Sequence, residues 1–246
     1  MPNKNFTTSR TVDDLYGHGT HVAGIAGALT NNGIGVAGLG FLASLMNGKV
    51  LGDTGLGYYS WVASGIIWAT NGPDGIAGTP DDAKVINMSL GGTSYSLALE
   101  DAVNYAWGKG VVMTAAAGNS DTDLPFYPAY YINVIAVAAT DENDNRAGFS
   151  NFGGWVDVSA PGVNIYSTMP NHRNRLRILN YGYLSGTSMS SPHVAGLAAL
   201  VWKTQYGTDN SSVVRGRIEA TVDTIITDEY IGKGRINAAR AVGAIP

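Results

Sequence analysis

The stretch GTSMSSPH at residues 186–193 decides the fold, because it sets a serine among small residues at the head of the most apolar helical pattern in the chain. Apolar residues recur at helical spacing from Val194 to Val201, and small residues fill the other faces, which predicts a helix buried on most sides. Pro192 is tolerated in a first helical turn, so the helix is predicted to begin near Ser188. Ser188 is then a candidate for one of two roles, an N-cap that accepts a backbone N–H or a nucleophile.

A second helix of small residues is predicted from GHGTHVAGIAG at residues 17–27. His18 and His21 lie three residues apart on it and could be metal ligands. Zinc fits poorly, because no Glu follows His18 as in the zinc-protease pattern and no third ligand is evident.

Apolar runs alternate with helical patterns through the middle of the chain. Strand, helix, strand, helix and strand in succession predict an α/β fold with a parallel sheet and crossover helices. The strands are predicted at residues 43–51, 83–89, 110–117, 132–138 and 156–159, and the helices at residues 60–70, 96–107, 211–221 and 237–243. Asn210 or Ser211 is the expected cap of the helix over 211–221.

Glycine-rich turns follow two of the predicted strands, SLGG at residues 89–92 and AAAGN at residues 115–119. Ligands bind beyond the carboxyl ends of the strands in open parallel sheets, so these turns are candidate walls of a site. Asn119 is either a simple turn residue or, beside His18 and Ser188, the side-chain amide that stabilises an oxyanion.

Composition limits the classes of function. A chain of 246 residues with 45% hydrophobic and 14% charged residues suits a single domain with a large core. The net charge of −4 argues against nucleic acid as the main partner, since the densest basic cluster is only His172, Arg173, Arg175 and Arg177. The absence of cysteine excludes disulfides and thiol catalysis. The polar start MPNKN predicts neither a signal peptide nor a membrane span in this chain.

Three motifs together resemble the subtilisin family of serine peptidases: HGTHVAG at residues 18–24, AAGN at 116–119 and GTSM at 186–189. The stretches AVNYAW at 102–107 and YPAYY at 127–131 are especially similar to its thermitase branch. The resemblance implies a three-layer α/β fold with a mainly parallel central sheet flanked by helices, in one domain over residues 1–246. It also implies that His18 is the general base, Ser188 the nucleophile and Asn119 the oxyanion donor.

The resemblance extends to substrate binding and implies a secreted monomer that acts on protein or peptide substrates. A substrate peptide would lie as an added strand between two extended segments, beside a pocket for the residue before the cleaved bond. The two segments are Gly55, Leu56, Gly57 and Ser89, Leu90, Gly91; the pocket walls are Ala116, Ala117 and Gly118, with Phe126 at the far end.

Calcium is the cofactor that the resemblance implies. The loop TNNGIGV at residues 30–36 is similar to the family's tight calcium loop, with ligands at Asn32, Ile34 and Val36, and a weaker cation site would use Ala129, Tyr131, Val134 and Asp157. Residues 74–82 add three carboxylates in a glycine-rich turn, which is either a solvated loop or a further calcium site.

The departure from the family lies at the front of the chain. The family's triad runs in the order Asp, His, Ser, but only 17 residues precede His18, and Asp13 and Asp14 match no triad position. The DTG at residues 53–55 follows the histidine and is discarded as the triad acid. Two interpretations stay open: an N-terminally truncated catalytic domain, or a non-catalytic homologue that binds peptides. Residues 1–14 are expected to be flexible.

Overall fold

The computed structural model describes residues 1–206 and 210–245 of the chain. Strands and helices alternate along most of it. In chain order the elements are β1 (Asn3–Asn5), α1 (His18–Gly27), β2 (Asn47–Lys49), α2 (Tyr59–Asn71), β3 (Val85–Met88), α3 (Leu97–Gly108), β4 (Val112–Ala116), β5 (Ile135–Thr140), β6 (Val158–Pro161), β7 (Ile165–Thr168), β8 (Tyr181–Leu184), α4 (Thr187–Trp202), α5 (Ser211–Ala220) and α6 (Ala238–Ala241).

The central sheet consists of β3, β4, β5 and β6 side by side, all parallel. Every residue of β4 and β5 is buried. Such continuous burial is expected of parallel strands, because helices cover both faces of the sheet.

Alternate residues of the central strands point to two separate cores. Met113 and Ala115 pack against α2 and α3, whereas Val112 and Ile135 pack against α4 and α5. This is the period of two that a strand imposes on its side chains. The predicted three-layer α/β fold is therefore confirmed.

Helix α1 packs closely against α4 through backbone rather than side chains. A Cβ atom on Gly196 of α4 would lie 2.8 Å from the Gly40 nitrogen and 2.9 Å from the Ala26 oxygen, so only glycine fits there. The small residues in the two predicted helices thus serve to bring the His18 helix and the Ser188 helix together.

Two small sheets flank the central one. β1 pairs with β2 in parallel, and β7 pairs with β8 in antiparallel fashion. The sequence did not predict β1, β7 or β8. Residues 3–5 pair with β2, and the flexibility expected of residues 1–14 stays a prediction. The strand predicted over 43–51 is reduced to Asn47–Lys49.

The other predicted elements match the structure within a few residues. Asn210 caps α5 as expected, because its Oδ1 accepts hydrogen bonds from the backbone nitrogens of Ser212 at 2.9 Å and Val213 at 3.3 Å. Across residues 1–206 and 210–245, no helix combines the length and the apolar character that a membrane crossing requires.

Candidate active site

Ser188 lies in the first turn of α4, half-exposed between the buried residues Thr187 and Met189. The prediction that Pro192 sits in that turn is wrong, since Pro192 is the sixth residue of the helix. Pro192 lacks the N–H that would bond to the Ser188 carbonyl four residues earlier. The Ser89 hydroxyl takes its place and donates to the Ser188 carbonyl at 2.7 Å. The proline therefore leaves the Ser188 carbonyl free to bond to Ser89, which joins the start of α4 to the end of β3.

The Ser188 hydroxyl itself donates to the Ser89 carbonyl at 3.3 Å. Ser89 and Ser188 thus make reciprocal contacts across 99 residues of sequence. The helix start is held against the carboxyl end of the central sheet, which is where the motifs predicted a site.

Asn119 is oriented by α4 rather than by its own turn. Its Oδ1 accepts hydrogen bonds from the Thr187 backbone nitrogen at 2.8 Å and from the Thr187 hydroxyl at 3.0 Å. The same hydroxyl accepts from the Gly118 nitrogen at 3.1 Å. Thr187 thus connects the start of α4 to the turn that carries Gly118 and Asn119. With its oxygen engaged, the Asn119 amide presents its two Nδ2 protons as donors near the head of α4. This geometry favours an oxyanion donor over a simple turn residue.

His18 is the first residue of α1 and is half-buried. Burial lowers its pKa, the negative charge of Asp14 opposes that shift, and His21 adds to it. The imidazole is therefore neutral near pH 7 and can accept a proton. Within the described residues, no hydrogen bond joins His18 to Ser188 or to a carboxylate.

Asp14 stabilises the start of α1, beside His18. One of its oxygens accepts from the Tyr16 and Gly17 nitrogens at 3.1 and 2.7 Å, and the other accepts from the Thr20 nitrogen at 2.7 Å. These bonds cap the first turn of α1, whose N-cap residue Gly17 has no side chain. Asp14 thus influences His18 by charge while its oxygens serve the backbone.

The other two motif histidines lie among core residues. His21 is buried, and its Nε2 lies 3.0 Å from the Ile165 carbonyl and 3.1 Å from the Gly182 carbonyl. His193 bonds through Nδ1 to the Met189 carbonyl at 2.8 Å. Both pKa values are lowered, with burial as the largest cause, so both rings are neutral.

Phe126 lies between the two glycine-rich turns of the predicted pocket. Its ring would collide with a Cβ atom on Gly91, and a Cβ atom on Gly118 would lie 3.1 Å from its Cγ. Gly92 and Tyr127 hold the segment in place with backbone hydrogen bonds of 2.9 and 2.8 Å. The structure thus brings Phe126, predicted at the far end of the pocket, together with Gly118 of the predicted wall and Gly91 of the predicted substrate segment.

A model of the subtilase family matches residues 2–241. The chain belongs to the subtilase family. Thermitase from Thermoactinomyces vulgaris is 49% identical over 227 residues, which are 92% of this chain and 75% of thermitase. Subtilisin DY from Bacillus licheniformis is 48% identical over 233 residues, covering 93% of this chain and 78% of that protein. A thermophilic serine proteinase from Bacillus sp. (strain AK1) is 48% identical over 230 residues, which span 93% of this chain and 53% of that protein.

A solved structure agrees with these relatives. A protease from Pseudoalteromonas arctica superposes with a TM-score of 0.83 at 38% identity, covering 92% of this chain and 70% of that one. The recognition of a subtilase from three motifs, and its similarity to thermitase, are both confirmed.

In this subtilase, the segment Gly55, Leu56, Gly57 lies at the end of a tight turn that begins at Gly52. The Gly52 nitrogen donates to the Leu56 carbonyl at 2.7 Å, and the Tyr16 ring packs over Gly55. Tyr59, just beyond the segment, reaches Gly92, since its hydroxyl oxygen would lie 2.6 Å from a Cβ atom there. Tyr59 and Gly92, which follow the two predicted substrate segments, are therefore neighbours; within the segments, Leu56 is exposed and Leu90 is half-buried.

The predicted calcium loop offers neutral oxygens only. The Asn32 Oδ1 accepts from the Ile34 nitrogen at 3.0 Å, and Asn31, Gly33 and Gly35 hold positive φ angles of 59°, 70° and 66°. The loop is exposed, with Val36 half-buried at its end. Amide and carbonyl oxygens suit a hard cation, so the donor set fits calcium in kind.

The weaker predicted cation site fits less well. Ala129, Tyr131 and Val134 are buried, and the Tyr131 carbonyl already accepts from the Val134 nitrogen at 3.0 Å. Asp157 accepts from Arg215 Nη2 at 2.7 Å and from the Ala136 nitrogen at 2.8 Å. A cation there would share this carboxylate with a guanidinium that already neutralises it.

Sequence reasoning missed two residues that position the site. Thr187 fixes the Asn119 amide, and Asn151 donates from Nδ2 to the Ala117 carbonyl at 2.9 Å while accepting from the Ser120 nitrogen at 2.9 Å. Thr187 lies inside the GTSM motif, which was a signal for it. Asn151 lies 31 residues beyond Ser120 with no motif around it, so only the folded chain reveals its role.

Proposed function

We propose that this subtilase is a serine endopeptidase in which Ser188 is the nucleophile, His18 the general base and Asn119 an oxyanion donor. The observation that carries the proposal is the Asn119 amide. Its oxygen is bound by Thr187, the residue before the nucleophile, and its Nδ2 is left to donate beside α4. A fixed donor aimed at developing charge is the usual main contributor to acyl-transfer catalysis.

The reaction would proceed in two halves. The Ser188 hydroxyl turns from the Ser89 carbonyl to the substrate, loses its proton to His18 and attacks the carbonyl carbon. The oxyanion accepts hydrogen bonds from Asn119 Nδ2 and from the Ser188 backbone N–H. His18 then protonates the leaving amine, and an acyl-enzyme forms on Ser188. Water, deprotonated by His18, releases the acyl group.

Turnover by this chain is expected to be slow. His18 has no carboxylate hydrogen-bonded to it within the described residues, so nothing there fixes its tautomer. Removal of the triad Asp from a subtilisin, a relative of this chain, lowers kcat by roughly 10⁴-fold. The remaining rate would come from His18, Ser188 and Asn119 acting together.

Hydrolysis of an internally quenched peptide tests the proposal. Ser188→Ala should abolish cleavage, and Asn119→Ala should lower kcat by about 10²–10³-fold, a magnitude known from a subtilisin. Asn133→Ala, which loses a surface contact with Asn104, is the matched control and should keep the parent rate. Cleavage that survives Ser188→Ala would refute the proposal.

A second candidate is a peptide-binding protein without catalysis. The observation in its favour is that His18 is hydrogen-bonded to neither Ser188 nor a carboxylate in the described part of the chain. It predicts equal affinity of the parent and Ser188→Ala for a peptide that neither of them cleaves. The same quenched peptide, followed by anisotropy, separates the two candidates.

We also propose a structural calcium ion in the loop 30–36, with oxygens from Asn32, Ile34 and Val36, and secretion of a monomer that acts on proteins. At Asp157 the guanidinium of Arg215 already supplies positive charge. We therefore propose calcium there only as a second cation that shares the Asp157 carboxylate with Arg215. Calcium should raise the midpoint of thermal unfolding, and Asn32→Ala should remove most of that increase. An unchanged midpoint in the parent would refute the calcium site.

A further inference from the structure

The loop of residues 172–177, here named the arginine loop, carries concentrated positive charge on a chain whose net charge is −4. Arg173, Arg175 and Arg177 are all exposed. In residues 1–206 and 210–245, none of the three forms an ion pair with a carboxylate. Their charge is therefore available to a molecule outside the chain.

The arginine loop is fixed to the segment that precedes His18. The Arg175 nitrogen donates to the Leu15 carbonyl at 2.9 Å, and the Leu176 nitrogen donates to the Tyr16 carbonyl at 3.2 Å. Asn174 is buried beneath the loop and donates to the His172 carbonyl at 3.1 Å and the Ile178 carbonyl at 2.6 Å. The backbone is thus anchored while the guanidinium groups point into solvent.

The arginine loop and the pocket have different neighbours. Phe126, Gly91 and Gly118 follow the carboxyl ends of the central strands, whereas the loop joins β7 to β8 beside the start of α1. Three residues separate the loop from β8 (Tyr181–Leu184), and three more separate β8 from Ser188. Four strand residues at about 3.3 Å each span about 13 Å.

We propose that the arginine loop binds acidic side chains of the substrate on the leaving-group side of the cleaved bond, about three to five residues beyond it. The inference rests on the proposed function, in which His18 protonates the leaving amine; because His18 is the first residue of α1, the leaving segment must pass the start of that helix. An extended peptide covers about 13 Å in four residues, which is the length of β8, the strand between the loop and the segment before Ser188. Exposed charge pairs contribute modestly, so three of them favour an acidic segment by about tenfold.

Binding to the Ser188→Ala protein tests the proposal independently of turnover. Two fluorescent peptides of one sequence carry either Glu or Gln at the third, fourth and fifth positions after the bond. The Glu peptide should bind about tenfold more tightly at low ionic strength. The preference should nearly vanish in about 1 M salt, where the Debye length is roughly 3 Å.

Two triple variants, each losing three positive charges, distinguish an effect of the arginine loop from an effect of the net charge of the protein. Arg173→Gln, Arg175→Gln and Arg177→Gln together should bring the ratio of the two Kd values close to one. Lys84→Gln, Lys109→Gln and Lys203→Gln together change exposed lysines elsewhere and should keep the ratio near tenfold. An equal fall in both triple variants, or no Glu preference in Ser188→Ala, would overturn the proposal. A Glu preference without cleavage by the parent would instead overturn the proposed peptidase and leave the loop's role supported.

Discussion

At the scale of single residues, the site depends on side chains whose polar atoms are committed before substrate arrives. Thr187 binds the Asn119 oxygen twice, and Asn151 braces the neighbouring turn through the Ala117 carbonyl. Reaction rate depends on such preorganisation, because donors that are already aimed need no reorientation as charge develops.

Phe126 should set the size of substrate side chain that the pocket accepts. Its ring fills space beside Gly91 and Gly118 that a large aromatic group would otherwise use. Even one methylene in such a pocket changes discrimination by roughly 1–3 kcal/mol. We predict that a phosphonate with Ala or Leu before the reactive phosphorus labels Ser188 faster than one with Phe, and that Phe126→Gly reverses this order.

The control for the pocket is Phe149→Leu, which trims an aromatic side chain on the segment after β5. It should leave the ratio of the Leu and Phe labelling rates as in the parent. A ratio that Phe126→Gly does not change would remove Phe126 from the pocket.

At the scale of elements, α4 joins the sheet through a carbonyl that Pro192 leaves without its helical partner. Ser89 supplies the replacement hydrogen bond, and Ser89 is itself buried. Ser89→Ala should therefore destabilise the fold by about 1–3 kcal/mol, the usual cost of leaving a buried polar group unsatisfied.

The double variant Ser89→Ala with Pro192→Ala should recover part of that loss, because residue 192 regains an N–H for the Ser188 carbonyl. Urea unfolding of the parent, both single variants and the double variant measures the coupling. Strictly additive changes in the free energy of unfolding would show that the two residues do not share this carbonyl.

Prediction from sequence succeeded for the central strands and the helices, missed β1, β7 and β8, and made β2 too long. Strands β3 to β6 and helices α2 to α4 lie within apolar runs of the sequence. These runs made the elements recognisable as strands or helices. β1 reads Asn-Lys-Asn and β2 reads Asn-Gly-Lys, so neither shows alternation, and each forms only because the other pairs with it. The glycine within β8 similarly interrupts the apolar pattern of that strand. The sequence therefore gives no signal for the cross-strand pair of Tyr166 and Tyr183.

Candidate site residues can be proposed from sequence where a short motif holds them, but the residues that support them from distant parts of the chain cannot. His18, Asn119 and Ser188 each stand in a short motif. The bond between Thr187 and Asn119 spans 68 residues, and the bond between Ser120 and Asn151 spans 31. No local pattern encodes such distances, since they follow from which strands become neighbours.

At the scale of the whole molecule, stability should fall in mild acid. The pKa values of His18, His21 and His193 are all lowered by burial, so the folded chain binds fewer protons than the unfolded chain below the ordinary value of 6.5. The stabilisation is fully present above pH 6.5 and is lost as the pH falls through the folded pKa values.

Urea unfolding at pH 7.5 and at about pH 5 should show a smaller free energy of unfolding in acid. His21→Gln keeps a donor for the Ile165 and Gly182 carbonyls but cannot be protonated, so its difference between the two pH values should be smaller. His172→Gln changes an exposed residue and is the control. Equal pH dependence in the parent and His21→Gln would contradict this account.

The central claim is that Ser188 is a nucleophile activated by His18, and covalent labelling tests it most directly. The folded chain is treated with a sulfonyl fluoride, and the adduct is located by mass spectrometry. The account predicts an adduct on Ser188 that forms far more slowly in His18→Ala and at the parent rate in Ser120→Ala, which alters an exposed serine. No adduct on Ser188 in the folded parent, or labelling that His18→Ala leaves unchanged, would contradict it.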